Sequence, residues 1–144
     1  MSVLSYPATF TTGGDGRVLV EFLDLPRVAT DGKDYAEALE EAIDALGSDL
    51  SIRLSRKEDI PSPSPAKRGQ RLVPVPLWLA PKLALYVAMR DRQITNTGLA
   101  RQLGVHEKVV RRMLDPEHAT KTAKIQAALA ALGKRLAVEI RDAA

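Results

Sequence analysis

Residues 99–112 read LARQLGVHEKVVRR, and the spacing of four residues within this stretch predicts a helix-turn-helix. Ala100 is small, as the close packing of two short helices requires. Gly104 suits the sharp turn between the helices because glycine adopts a positive φ without strain. Val105 and Val110 are expected to anchor the second helix in the core.

The outward positions of the second helix are polar and mostly basic, as in a recognition helix that enters the major groove of DNA. Arg can bond guanine or a phosphate through two parallel donors. Glu107 either accepts a bond from cytosine or pairs with Arg111 four residues on, and His106 either contacts DNA or only begins the helix. An ordinary helical hairpin with a solvated basic face is the alternative. The predicted DNA-binding residues are Thr97, His106, Glu107, Lys108, Arg111, Arg112 and Lys121.

Further helices are predicted on both sides of this pair. Pro81 is well placed in the first turn of a helix that runs to about Arg92. Asn96 or Thr97 is expected to cap the first helix of the pair. A last helix is expected to end at Gly133, which suits a left-handed C-terminal position.

The C-terminal segment predicts a dimer. Leu136, Val138 and Ile140 alternate with polar residues and small residues, which is typical of a short strand. Such a strand has no partner in a helical domain, so we expect it to pair with the same strand of a second chain. A dimer also suits two-fold operator DNA.

Charge divides the chain into two parts. The 144 residues carry a net charge of +3, but residues 1–65 have 6 Lys or Arg against 12 Asp or Glu, a net of −6. Residues 66–144 have 15 against 6, a net of +9. The basic part therefore predicts a polyanionic partner such as nucleic acid, and the acidic part suits a basic partner or a solvated helix.

The acidic part is predicted to form a hairpin and a helix. Alternating apolar residues over 6–10 and 18–22 flank a glycine-rich turn, and Pro7 indicates a sheet edge. The helix begins after Asp34, its expected N-cap, with Glu37 in the capping-box position. Its apolar stripe consists of Tyr35, Leu39, Ala42, Leu46 and Leu50.

A third strand over 72–77, confined by its prolines to an edge or a bulge, is expected to join the hairpin. One helix would then cover a three-stranded sheet, which makes the fold class α+β. The proline-rich segment at about 60–71 is either a semi-rigid linker or an extended connection across the first domain. Predicted domains are residues 1–77 and residues 78–144.

Several classes of protein are disfavoured. The absence of cysteine excludes disulfides and thiolate chemistry. No membrane span or secretory signal is recognisable, so a cytoplasmic location is expected. A metal-dependent nuclease could use carboxylates near strand ends, but each of these also suits a turn or a solvated position. We therefore predict no catalytic residue, no metal and no cofactor, after weighing Asp15, Glu21, Asp24 and Asp31.

Short motifs in a particular order run along almost the whole chain. In the acidic part they are YPA at 6–8, the Gly13-Gly14 turn, VEFLDLP at 20–26, TDG at 30–32, EALEEA at 37–42 and IPSPS at 60–64. The basic part adds LARQLGV at 99–105, ATK at 119–121 and ALAALGKRL at 128–136. In this order the motifs resemble the HicB antitoxins of bacterial HicA–HicB toxin–antitoxin pairs. The motifs of the basic part resemble the family branch that carries a helix-turn-helix.

The resemblance implies a fold and two partners. The N-terminal domain would be a degraded ribonuclease-H-like fold that binds HicA, a small basic mRNA ribonuclease. The C-terminal domain would form a dimer, or a tetramer, and bind double-stranded operator DNA to repress the operon. Toxin contacts are assigned to Asp24, Leu25 and Pro26 only because they match the family motif.

The alternative function is a dimeric helix-turn-helix repressor whose N-terminal domain senses a small ligand or binds another protein. A ligand-sensing domain needs a pocket, and one helix on a three-stranded sheet offers little room for one.

Overall fold

The computed structural model describes residues 4–142, and within them the chain forms four strands and five helices. This arrangement confirms the mixed class predicted from the sequence. In chain order the elements are β1 (Ser5–Thr12), β2 (Val18–Phe22), β3 (Ala29–Gly32), α1 (Tyr35–Ser55), β4 (Gln70–Pro74), α2 (Ala80–Asp91), α3 (Asn96–Leu103), α4 (Glu107–Met113) and α5 (Thr122–Ala131).

The strands form one antiparallel sheet in the order β3-β2-β1-β4. β1 and β2 form the predicted hairpin, with Ala8 opposite Phe22. The prediction that Pro7 marks an edge is wrong, because β1 is an interior strand that pairs with β4 on its other side. Pro7 is tolerated there because it lies just beyond the β2 pairing, where its carbonyl accepts a bond from the Leu23 N–H at 3.4 Å.

The strand β3 lies where the sequence predicts only a turn. The prediction of a three-stranded sheet is therefore wrong, because the sheet has four strands. β3 pairs with β2, with Thr30 opposite Val20. Its last residue, Gly32, is buried beneath the start of α1, and a Cβ atom there would lie 2.3 Å from the backbone nitrogen of Ala38. The glycine is required by close packing of helix on strand, although an Asp-Gly pair is also typical of turns.

The helix α1 covers one face of the sheet and begins as predicted. The Asp34 carboxylate accepts a bond from the Glu37 N–H at 2.9 Å. The Glu37 carboxylate in turn accepts from the N–H of Lys33, one residue before the cap, at 3.2 Å. The buried side of α1 includes Ala42, Leu46 and Leu50, which pack on the sheet. Its apolar stripe continues to Leu54, beyond the predicted end.

Residues 56–69, which follow α1, form an extended connection across the sheet half, which consists of the four strands and α1. The Tyr6 hydroxyl donates to the carbonyl of Pro61 at 2.7 Å. Both the N–H and the hydroxyl of Ser64 donate to the Asp24 carboxylate, at 2.8 and 2.6 Å. Of the two predicted forms of this segment, the structure therefore has the connection that lies against the first half. The strand predicted over 72–77 forms as β4, which begins two residues earlier and ends three residues earlier than predicted. It lies at an edge of the sheet, which is one of its two predicted placements.

The helix α2 contributes to both hydrophobic cores. Leu79, just before it, and Leu83 pack with the sheet and α1. Leu85 and Met89 pack with α3, α4 and α5. Because one helix is shared, the two halves are joined by buried side chains as well as by the chain. The division at residues 77 and 78 stays a prediction.

The short strand predicted near the C-terminus does not form. Residues 134–142 have no regular secondary structure, and the side chains of Val138 and Ile140 are 76 % and 95 % exposed. The expected neighbour of this strand is the same strand of a second chain, so that pairing stays a prediction. By contrast, α5 ends as predicted at Gly133, which has φ +73.

Candidate nucleic-acid interface

Two short helices, α3 and α4, form the candidate site. α3 begins at Thr95, whose hydroxyl accepts a bond from the Gly98 N–H at 3.0 Å. The prediction that Asn96 or Thr97 caps this helix is therefore wrong by one or two positions, because Thr95 already supplies the acceptor. Thr97 lies exposed in the first turn of α3.

The turn between α3 and α4 has the predicted geometry. Gly104 has φ +68, in the left-handed region that favours glycine. The Val105 N–H then donates to the Ala100 carbonyl at 3.0 Å, which closes the end of α3. Ala100 is buried at 3 % exposure, as predicted, but Val105 is 38 % exposed. The expectation that Val105 anchors α4 in the core is wrong, because its backbone serves the turn while its side chain points outward.

The helix α4 is held in the core on one side. Val110 and Met113 are buried against α2, α3 and α5. At its N-terminus the Nδ1 atom of His106 accepts a bond from the Lys108 N–H at 3.0 Å. His106 thus begins the helix through its side chain, which is one of its two predicted roles.

Glu107 and Arg111 form the predicted i, i+4 pair on α4. The Arg111 Nη2 atom lies 2.6 Å from the Glu107 Oε2 atom. The hydrogen bond from Arg111 lowers the pKa of the Glu107 carboxyl, and the same bond raises the pKa of Arg111. Both residues line an open cleft of about 700 Å³ between α4, α2 and the end of α1. Contact of either residue with DNA stays a prediction.

Three other predicted cations are exposed around α4. Lys108 and Arg112 lie on α4 itself, and Lys121 precedes α5. The structure therefore brings basic groups from α4 and from the next loop to the surface of the helical half, which consists of α2 to α5.

Sequence reasoning missed Lys82, which lies beneath this surface on α2. Its ammonium group donates to the backbone carbonyl of Arg112 at 3.1 Å. Lys82 is spaced three and four residues from Leu79 and Tyr86, so it occupies the apolar stripe of the helix. A lysine in an apolar stripe was the signal that could have identified it.

Three of the four carboxylates considered for metal catalysis have other partners. Asp31 pairs with Arg17 at 2.7 Å, and Asp15 accepts a bond from the Arg17 N–H at 3.0 Å. Asp24 receives the two bonds from Ser64, and Glu21 lies exposed on β2. Across residues 4–142, no group of three His, Asp or Glu is arranged to hold a metal ion.

The residues assigned to toxin contact are arranged unequally. Leu25 is fully buried in the core, whereas Pro26 is exposed. Asp24 holds the connecting segment through Ser64. These placements give Asp24 and Leu25 structural roles, and toxin contact by the three residues stays a prediction.

Comparison with known proteins identifies the family. A family model described as the HicB-like antitoxin of bacterial toxin–antitoxin systems matches residues 5–84. Antitoxin HicB of Escherichia coli strain K12 is 37 % identical over 135 residues, which cover 94 % of this chain and 98 % of the relative. The chain belongs to the HicB antitoxin family.

Other HicB antitoxins are similar over almost the same length. Antitoxin HicB 1 of Photorhabdus laumondii is 35 % identical over 95 % of this chain and 87 % of its own length. Antitoxin HicB of Pseudomonas fluorescens is 29 % identical over 89 % and 88 %. These relatives are named antitoxins, which points to a role without catalysis. In the described part of the chain, no helix is both long and apolar enough to cross a membrane.

Proposed function

We propose that α3, the Gly104 turn and α4 form a helix-turn-helix that binds operator DNA and represses the chain's own operon. The observation that carries this proposal is the division of α4 into two sides. Val110 and Met113 are buried, while Lys108 and Arg112 are exposed. A helix fixed in this way presents donors to a DNA groove without exposing its own core.

The charge of the helical half supports the same partner. Residues 78–144 have 12 Lys or Arg against 6 Asp or Glu, a net charge of +6, and a phosphate backbone attracts such a surface regardless of base sequence. Of the exposed cations, Arg112 is the better candidate for base contact, because Arg111 already donates to Glu107. Lys121, on the neighbouring loop, is suited to phosphate.

Fluorescence anisotropy with the duplex immediately upstream of the protein's own gene tests DNA binding. We expect Arg112→Ala to weaken binding by about 1–3 kcal/mol if Arg112 contacts a base, and by less if it contacts phosphate. The matched control is Arg27→Ala, an exposed arginine in the sheet half. Equal affinity of Arg112→Ala and the wild type would remove α4 from the interface.

We also propose that the sheet half binds and neutralises a HicA-type toxin. Support comes from the family match over residues 5–84, which covers the whole sheet and α1. Residues 1–77 have 9 Lys or Arg against 12 Asp or Glu, and this net charge of −3 suits a basic partner. The strands followed by α1 are also compatible with the degraded ribonuclease-H-like fold that the resemblance implies.

The sheet face opposite α1 is the surface that we assign to the toxin. Leu19, Leu23 and Leu72 are 42 %, 45 % and 46 % exposed there. Leu72 and Leu23 flank Pro7 across three neighbouring strands. Glu21, also exposed, adds a negative charge beside them. An apolar row with an acidic neighbour suits a partner that is basic around an apolar centre.

A homodimer completes the proposal for the helical half. The exposed apolar side chains of Val138 and Ile140 would be covered if residues 134–142 of two chains paired. Two α4 helices related by a two-fold axis would then bind two half-sites. Such a repressor acts at the bacterial chromosome, which agrees with the expected cytoplasmic location.

A further inference from the structure

Lys82 is the one buried residue among residues 4–142 whose side chain carries a charge, with 3 % exposure. It lies on α2, between the two cores. A buried ammonium group is costly unless acceptors replace its water. Lys82 has three such acceptors: the carbonyls of Arg112 and Met113, at 3.1 and 3.4 Å, and the Thr120 hydroxyl at 3.0 Å.

The two carbonyls belong to the end of α4, where regular helical bonds are missing. The regular partner of the Arg112 carbonyl would be the N–H of residue 116, but that residue is Pro116 and has none, so this carbonyl accepts from the Asp115 N–H at 3.2 Å instead. The N–H of Glu117, the regular partner of Met113, instead donates to the Asp115 carboxylate at 2.9 Å. Lys82 therefore supplies a donor and a positive charge where the helix dipole is negative.

The third acceptor connects Lys82 to the loop that follows α4. Thr120 accepts from Lys82, and its hydroxyl also lies 3.2 Å from the Arg112 carbonyl, to which it donates. His118 Nδ1 lies 2.9 Å from the same hydroxyl. Lys121 is the next residue of the chain. One buried ammonium thus fixes the backbone that carries Arg112 and the backbone that leads to Lys121.

Burial has an electrostatic consequence for Lys82. Loss of water lowers the pKa of its ammonium group, and the nearby charge of Asp115 opposes that change. An apolar side chain at this position would avoid the penalty. The presence of a lysine there instead indicates that the fixed geometry of the α4 end has a use.

We propose that Lys82 is a positioning residue for DNA binding, which holds the end of α4 and the 115–121 loop so that Arg112 and Lys121 reach the duplex together. This inference rests on the proposed DNA-binding function. Lys82 is buried, so it acts through these two residues and does not touch DNA itself.

A double-mutant cycle with the full-length protein and the upstream duplex tests the inference. Lys82→Met keeps the apolar stem and removes the donors, and Lys67→Met, at an exposed lysine, is the control. We expect Lys82→Met to lower DNA affinity about tenfold, similar to the loss of one specific contact. Arg112→Ala should then cost much less in the Lys82→Met background than in the wild type, because Arg112 is already misplaced.

A merely stabilising role of Lys82 would leave the two effects additive, and that result would overturn the inference. So would wild-type affinity of Lys82→Met. If Lys82→Met does not fold, Thr120→Val removes the same link at a half-buried residue and enters the same cycle. Failure of the wild type to bind the duplex would refute the proposed function itself, and the Lys82 inference with it. Toxin binding by the same samples should be unchanged.

Discussion

The Tyr6 hydroxyl is the group whose removal tests most simply how residues 56–69 are held on the sheet half. Tyr6 is fully buried, and its hydroxyl donates to the Pro61 carbonyl at 2.7 Å. Tyr6→Phe keeps the ring and removes that bond. A buried hydrogen bond contributes about 0.5–1.5 kcal/mol net, and the Pro61 carbonyl left without this donor raises the loss toward 1–3 kcal/mol. We expect the free energy of unfolding to fall by about 1–2 kcal/mol.

The difference in stability between the wild type and Tyr6→Phe should also depend on pH, with a definite sign. Burial, with the nearby charge of Asp24, raises the pKa of Tyr6 above its ordinary value of 10.0. Above pH 10 the unfolded chain therefore loses the tyrosine proton while the folded chain keeps it. Stability supplied by Tyr6 is present below pH 10 and declines above it, by up to about 1.4 kcal/mol per pH unit.

Urea unfolding of the wild type and Tyr6→Phe from pH 7 to pH 11 measures both effects. The difference between the two proteins isolates Tyr6, because the shifts of Lys82 and Tyr86 are common to both. Tyr35→Phe is the control, since Tyr35 is half-buried beside Phe10. If the two free energies of unfolding are equal at pH 7, or if their difference stays constant above pH 10, the assigned role of the hydroxyl is refuted.

Three further predictions address packing, toxin binding and assembly. Gly32→Ala should destabilise the fold by about 3 kcal/mol or more in urea unfolding, because the new Cβ meets the backbone of α1. The control Gly14→Ala should change stability little, because a Cβ at Gly14 meets nothing within 4 Å. Calorimetry should show that Leu23→Lys lowers toxin affinity about tenfold or more, whereas Ile52→Lys should not, although Ile52 on α1 is similarly exposed. Equal losses of affinity in the two variants would argue against the sheet face as the toxin surface. Removal of residues 134–144 should give a monomer in light scattering, and a persisting dimer would contradict the proposed pairing.

Local signals in the sequence predicted much of the fold. The hairpin followed from alternation and glycines, the start of α1 from Asp34 and Glu37, and the turn after α3 from Gly104. Each depends on residues within a few positions of one another, so tertiary packing was not needed to recognise them.

The features that the sequence did not reveal depend on distant packing. β3 exists because β2 offers an open edge and α1 approaches Gly32 closely. Val105 is exposed because the Ala100 carbonyl holds its backbone. The role of Lys82 depends on Pro116, which is 34 positions away in the sequence. The apolar stripe of α2 could have identified Lys82 as buried, but no local pattern gives the partners that its ammonium group contacts.

The central claim is that one chain carries two separable activities, toxin neutralisation by the sheet half and operator binding by the helical half. The most direct test expresses Arg112→Ala and Leu23→Lys, each with the small reading frame beside the gene, and follows growth together with binding of the upstream duplex. The account predicts that Arg112→Ala restores growth but loses DNA binding, and that Leu23→Lys binds DNA but no longer restores growth. Loss of both activities in either folded variant, or of neither, would contradict it.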